Sequence, residues 1–356
     1  MKHSSTTPTH HGKGRTMTTV NEAYNNSVVN RLHKSAWVQA GTTVTATSAS
    51  EAARQAGLDW TVSLEDLYAE HKIPVSELES WTQKIPVPNR VGVVKTATNG
   101  DKSVIGVVGG RYKTVQNIEV FNALDTLVDS GDARYAAAGE YKGGSNIWMV
   151  MELPKGVNVA DDPHAAFLLV KSSHDGSCAV VIKPIIERLW CANQINRLIT
   201  GKNYNKYTYK LKHWGDATLS VSDIRNITQL TYSSIEEYEM TAAHLLSIKV
   251  SRENAVNYFK KVWALPPVLE DTPSSMLLQG QRRAQTIAFT ARSNALDIYM
   301  QSQTQENIRG TAFGMWQAVI EQTDHYKGRD TAKRAVSAIS GTSDAIKTKA
   351  LTLVLA

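Results

Sequence analysis

Residues Ala165–Trp214 read AAFLLVKSSHDGSCAVVIKPIIERLWCANQINRLITGKNYNKYTYKLKHW. The first part has the pattern of a hairpin. Phe167–Val170 is a short apolar run, and Asp175-Gly176 supplies a two-residue turn in which positive φ is tolerated. A longer strand rich in Val and Ile then runs from about Cys178 to Trp190. Asn193 stands where a helix cap would, with Ile195, Leu198 and Ile199 forming the apolar face of a short helix. From Gly201 the composition changes. The segment to Trp214 holds four lysines (Lys202, Lys206, Lys210, Lys212), four aromatics (Tyr204, Tyr207, Tyr209, Trp214) and no carboxylate. Cations interleaved with flat rings neutralise phosphates and stack bases. Together with Arg188 and Arg197 this segment is the candidate nucleic-acid contact, with Tyr204 and Trp214 as the stacking residues.

Upstream, residues 1–20 are polar and predict a disordered tail. Ser50 can cap a short helix that Gly57 ends, and Asp59–Val62 reads as a strand. Glu65–Trp81 reads as helical or irregular, broken up by Pro74, Pro86 and Pro88. Arg90–Thr96 and Ser103–Val108 are two strands joined at Asn99-Gly100-Asp101. Asn117 caps a helix whose apolar residues, Ile118, Phe121, Leu124, Leu127 and Val128, recur at spacings of three and four. Strands at Arg134–Gly139 and Asn146–Leu153 follow. Strands on either side of one helix predict an antiparallel sheet with a helix packed on one face.

Downstream of Trp214 the pattern is helical: Ile224 to about Ser247, Ser251–Trp263, Gln281–Gln303, Thr311–His325 and a last helix after Asp344. Pro266-Pro267 and the stretch to Ser275 read as a linker. The expected class is α+β, with a sheet-rich core over 21–214 and a helical region over 215–356, either separate or an outer layer of the same domain.

The 356-residue chain carries a net charge of +6 and 42% hydrophobic residues, a globular composition biased toward polyanionic partners. No run approaches eighteen consecutive apolar residues, and the N-terminus has no apolar signal core, so a soluble cytoplasmic protein is expected. Cys178 and Cys191 lie in or at the end of one predicted strand and read as reduced thiols.

Four phrases, RYKTVQNIEVFNALDTLV, AAAGEYKGGSNIWMVMELP, SSHDGSCAVVIKPIIERLWCANQIN and GTAFGMWQAVIEQTDHYKGR, occur in this order between Arg90 and Arg329. In order and spacing they resemble the blocks of the phage/plasmid-like protein family, a domain of unknown function (nine-three-two). The resemblance implies a phage or plasmid setting, which favours replication, recombination or evasion of host defence. The layout is also similar in architecture to ring-forming single-strand annealing proteins.

No catalytic constellation is legible. There is no His-Glu-x-x-His, no Gly-x-Ser-x-Gly and no deaminase zinc signature. His174-Asp175 reads as turn chemistry, with Asp bonding its own backbone. Asp324-His325-Tyr326 closes a predicted helix, where the dipole favours His. Glu236, Glu237 and Glu239 read as a solvated helix face. Asp161, Asp162, Glu187 and Asp324 would have to converge for a metal-dependent nuclease. The basic segment has a second reading as an edge strand whose lysines discourage aggregation. In a strand, Lys206, Thr208, Lys210 and Lys212 would share one face, and Tyr207, Tyr209 and Leu211 the other. The expectation is a non-enzymatic protein without cofactor or metal, homo-oligomeric, that binds single-stranded DNA and promotes annealing or recombination. The alternative is an effector that binds a host protein and counters a defence system.

Overall fold

The computed structural model describes residues 33–75, 80–122, 124–154, 156–159, 162–195, 206–211, 221–328 and 330–356. The expected tail, residues 1–20, lies outside them. The strands are β1 (Thr42–Thr43), β2 (Thr61–Pro74), β3 (Ser80–Thr96), β4 (Lys102–Gly109), β5 (Arg134–Tyr141) and β6 (Asn146–Glu152). They continue as β7 (Val157–Val159), β8 (Asp162–Ser173), β9 (Val180–Arg188), β10 (Asn193–Ile195) and β11 (Tyr209–Leu211). Short helices α1 (Ala36–Ala40), α2 (Ala49–Gln55), α3 (Asn117–Asn122) and α4 (Asp125–Asp129) lie among them. The second half supplies α5 (Val221–Ser247), α6 (Arg252–Val262), α7 (Pro267–Asp271), α8 (Gln279–Gln301), α9 (Ala312–Glu321), α10 (Thr331–Ser340) and α11 (Asp344–Leu355). The protein is α+β as expected, with antiparallel sheets first and helices after.

The main sheet has the order β1-β5-β6-β8-β9-β10, with β7 added to β8 and β11 to β9. Its apolar strands are buried on both faces, which is why they read as nearly continuous hydrophobic runs. Alternation assigns the faces. Ala166, Leu168 and Val170 of β8 join the larger core, with Tyr238, Phe313 and Leu351 from the helical half. Ala165, Phe167 and Leu169 join a smaller core with Trp37, Trp148 and Ile339. The larger core therefore draws on both halves of the chain, and the helices form a layer against the sheet.

Trp148 fixes the edge of that sheet. Its ring fills the space over two glycines: a β-carbon on Gly41 would lie 2.5 Å from it, and one on Gly139 would lie 2.7 Å away. The strand β9 holds two partners end to end. β11 pairs with Val180–Ile182 and β10 with Ile186–Arg188. Pro184 stands between them, opposite Leu168 of β8. Proline donates no ladder hydrogen bond, so the outer edge of β9 is interrupted there.

Five local expectations are corrected. Glu65–Trp81 is neither helical nor irregular: β2 and β3 form a long hairpin from Thr61↔Thr96 to Pro74↔Ser80. Pro86 and Pro88 lie inside β3 and do not end it, and Pro74 is the last residue of β2. The helix expected from Asn117 is two short helices, α3 and α4. Asn193 is no helix cap: Ala192 turns the chain at φ 51°, and Asn193 pairs with Arg188 as the first residue of β10. The turn at Asp175-Gly176 sits inside a wider loop between Ser173 and Val180, although Gly176 does take φ 73° and the Asp175 carboxylate accepts from Ser177 N at 2.9 Å. The stretch expected as a linker holds α7. There Arg292 clamps Glu270 at 2.6 Å and the Trp263 carbonyl at 2.7 Å. The helix α6 begins where expected, with the Ser251 hydroxyl accepting from Asn254 N; such a cap contributes about 1 kcal/mol.

Candidate nucleic-acid interface and buried polar centre

Of the basic-aromatic segment, residues 206–211 are described; Lys202, Tyr204, Lys212, Trp214 and Arg197 lie outside the described residues. The strand β11 pairs Tyr209, Lys210 and Leu211 with Ile182, Val181 and Val180. Its tyrosines are tied to α5: Tyr207 donates to Glu237 and Tyr209 to Asp223. Burial first, and then Asp223, pushes the Tyr209 phenol up to about 12. Both rings are half-buried. Lys206 lies over the Tyr207 ring at 4.8 Å and bonds the same Glu237 at 3.3 Å. Lys206 is exposed, and Glu237 shares its charge. Lys210 is exposed.

Arg188 is also corrected. It is 1% exposed, so its charge does not face a phosphate. Its Nε donates to Asp162 Oδ2 at 2.6 Å and its Nη1 to the Thr304 carbonyl at 2.5 Å. Burial works against the guanidinium's charge, and Asp162 more than offsets it. Around this pair lies a polar centre that sequence order hides. His164 Nδ1 is 2.9 Å from the Asp162 carbonyl, so that nitrogen carries the proton. His164 Nε2 then accepts from Tyr238 Oη at 2.7 Å. Burial lowers the His164 pKa to about 4 and keeps the ring neutral. Thr304 Oγ1 donates to Glu321 at 2.6 Å, and Glu321 meets His33 at 3.4 Å. His33 stacks on His325 with centroids 4.1 Å apart. Ser35 donates to Glu187 at 2.8 Å. These contacts join β8, β9, α5 and α9, and they fix the docking of helices on the sheet. Buried charges in such a network are positioned and paired.

The nuclease carboxylates do not converge as a metal site. Asp162 is held by Arg188, Glu187 by Ser35 and Asp324 by Lys347; Asp161 lies outside the described residues. Among the described residues no group of three or more His, Cys, Asp or Glu is placed to hold a metal. His174 is buried against Asn117, 2.8 Å from its Oδ1. Cys178 and Cys191 are free thiols.

A second feature was missed in the sequence. The helix α9 runs on into a π-helical turn, Gln322–Tyr326. Such turns widen the helix and are frequent at functional sites. This one places Asp324 in the interior and leaves Tyr326 45% exposed. A cleft of about 380 Å³ opens beside it, between the turn, α8 and α11. Its walls carry two rings, Trp263 and Tyr326, the hydroxyls of Thr286 and Thr290, and Lys327. Gln322, 5% exposed, also lines it, and its Oε1 has no partner among the described residues. Flat rings and one cation around a groove can hold a planar group with a nearby negative charge. The only sequence signal was the Asp324-His325-Tyr326 triplet, which the 3.6-residue period placed at an ordinary helix end.

Residues 104–346 match the family described as a domain of unknown function, DUF932. The chain belongs to the DUF932 family. The DUF932 match takes in the main sheet from β5 onward, the polar centre apart from His33 and Ser35, and the cleft, and leaves β2 and β3 ahead of it. No curated protein and no solved structure matches the chain. Among the described residues of this DUF932 protein, no helix is long and apolar enough to cross a membrane.

Proposed function

We propose that this DUF932 protein is a non-enzymatic binder of single-stranded nucleic acid, DNA above all, working in the cytoplasm of a host cell in strand annealing or recombination. The observation that supports it best is the cleft, where Trp263, Tyr326, Gln322 and Lys327 come together. An unpaired base can stack on either ring and leave its phosphate near Lys327. A duplex keeps its bases stacked and withholds them from such a groove. The net charge of +6 and the exposed Lys210 add a sequence-independent attraction to the backbone.

The test is anisotropy of a labelled single strand and of the matching duplex at two salt concentrations, for the parent chain and Tyr326→Ala. Preference for the single strand, with about tenfold weaker binding by the variant, is expected for loss of one stacking ring. Absence of single-strand binding at low salt would remove this reading and turn attention to a host protein as the partner.

A further inference from the structure

The hairpin of β2 and β3 outruns the rest of its sheet. The strand β4 pairs only with Arg90–Thr96 of β3. Beyond that point Tyr68–Pro74 and Ser80–Pro86 form a two-stranded arm with no third strand among the described residues. Tyr68, Trp81 and Ile85 on it are 50%, 53% and 44% exposed. A two-stranded ribbon is marginal in water on its own, and an open strand edge is a template for pairing.

The two edges of the arm differ. A proline in a strand is accommodated where its missing N–H faces away from its partner, so Pro86, followed by Pro88, makes β3 a poor template. The β2 edge, Tyr68-Ala69-Glu70-His71-Lys72-Ile73, contains no proline before Pro74. We infer that this edge pairs antiparallel with the same edge of a second copy, about a two-fold axis at His71.

The register follows from parity and charge. Residues that face one another across a sheet share a face, so a two-fold axis through an antiparallel pair must pass through a residue. An axis at Glu70 sets Glu70 against itself, and one at Lys72 sets Lys72 against itself; both place like charges opposite, which destabilises a sheet. An axis at His71 sets Glu70 opposite Lys72 of the second copy, Ala69 opposite Ile73 and Tyr68 opposite Pro74. Within one arm Glu70 already faces Lys84, and Ile73 faces Trp81. Pairing therefore extends both rows. One face carries Lys84, Glu70 and then Lys72 of the second copy, alternating in charge. The other carries Trp81, Ile73, then Ala69 and Ile85 of the second copy, all apolar. The contact is isologous and closes as a dimer. It does not rest on the nucleic-acid reading.

Cysteine cross-linking without any oligonucleotide tests it. His71→Cys should form a covalent dimer on mild oxidation, and the unsubstituted chain, with Cys178 half-buried and Cys191 buried, should not. Glu70→Cys alone should stay uncross-linked, and mixed with Lys72→Cys it should give the heterodimer. By sedimentation, Glu70→Lys and Lys72→Glu should each be monomeric, and an equimolar mixture should be dimeric. A chain that sediments as a monomer, or one that dimerises without the His71→Cys cross-link, overturns the inference.

Discussion

Lys347 Nζ sits 2.6 Å from Asp324 Oδ1 and donates to Asp324 Oδ2 at 2.7 Å, with both side chains at most 5% exposed. The same ammonium donates to the Gln194 carbonyl at 2.7 Å, and Asp324 Oδ2 accepts from Gln194 N at 3.0 Å. One ion pair thus holds β10, the π-helical turn and α11 together. Lys347→Met leaves a buried carboxylate without its cation and should lower unfolding free energy by about 3–5 kcal/mol. Lys347→Met combined with Asp324→Leu should recover most of that loss. Urea midpoints at unchanged slope measure both.

His164 makes stability depend on acid. Its folded pKa of about 4 lies below the ordinary 6.5, so the unfolded chain takes up a proton that the native state refuses. The contribution is present above pH 6.5 and is lost as the pH falls toward 4. The full shift corresponds to roughly 3 kcal/mol. His164→Asn should be less stable than the parent at neutral pH, and the gap should shrink between pH 6.5 and 4, as denaturant melts at stepped pH will read.

Arg188 and Lys210 should separate structure from binding. Arg188→Met removes the cation beside Asp162 and should melt early. Lys210→Ala should leave the melt unchanged and flatten the dependence of log affinity for a single strand on log salt, by up to about 0.7 for one phosphate contact. A salt slope identical to the parent's would exclude Lys210 from the contact.

Gly41→Ala puts a methyl group 2.5 Å from both the Ala138 carbonyl and Trp148. The backbone oxygen cannot yield as a flexible side chain would. A loss of about 1–3 kcal/mol is expected in the same melts. Gly100→Ala, where the β-carbon meets nothing within 4 Å but φ is 88°, tests backbone strain alone.

Strands and helices were legible where periodicity was strong. The apolar runs of β8 and β9, the Asn99-Gly100-Asp101 turn and the capped start of α6 follow from local chemistry. The arm was not legible, because Pro74, Pro86 and Pro88 signal a break in isolation and only the pairing shows an edge strand. Asn193 misled because a cap and the start of a three-residue strand look alike. The polar centre was out of reach: Asp162 and Arg188 are far from Thr304 and Glu321 in sequence, and none of the four signals a buried partner. Arg188 beside a lysine-rich stretch suggested a phosphate contact, while its partner, Asp162, was weighed as a nuclease carboxylate.

The interruption of β9 at Pro184 divides its outer edge into two units that need not open together. Loss of the three pairs of β11 leaves the three pairs of β10 untouched. Amide hydrogen exchange should therefore distinguish them, with the N–H groups of Tyr209–Leu211 exchanging through a small local opening and those of Asn193–Ile195 protected until α9 and α11 detach. Such a split would let the lysine-bearing strand lift from the sheet, releasing its tyrosine bonds to α5, and return while β10, α9 and α11 stay in place.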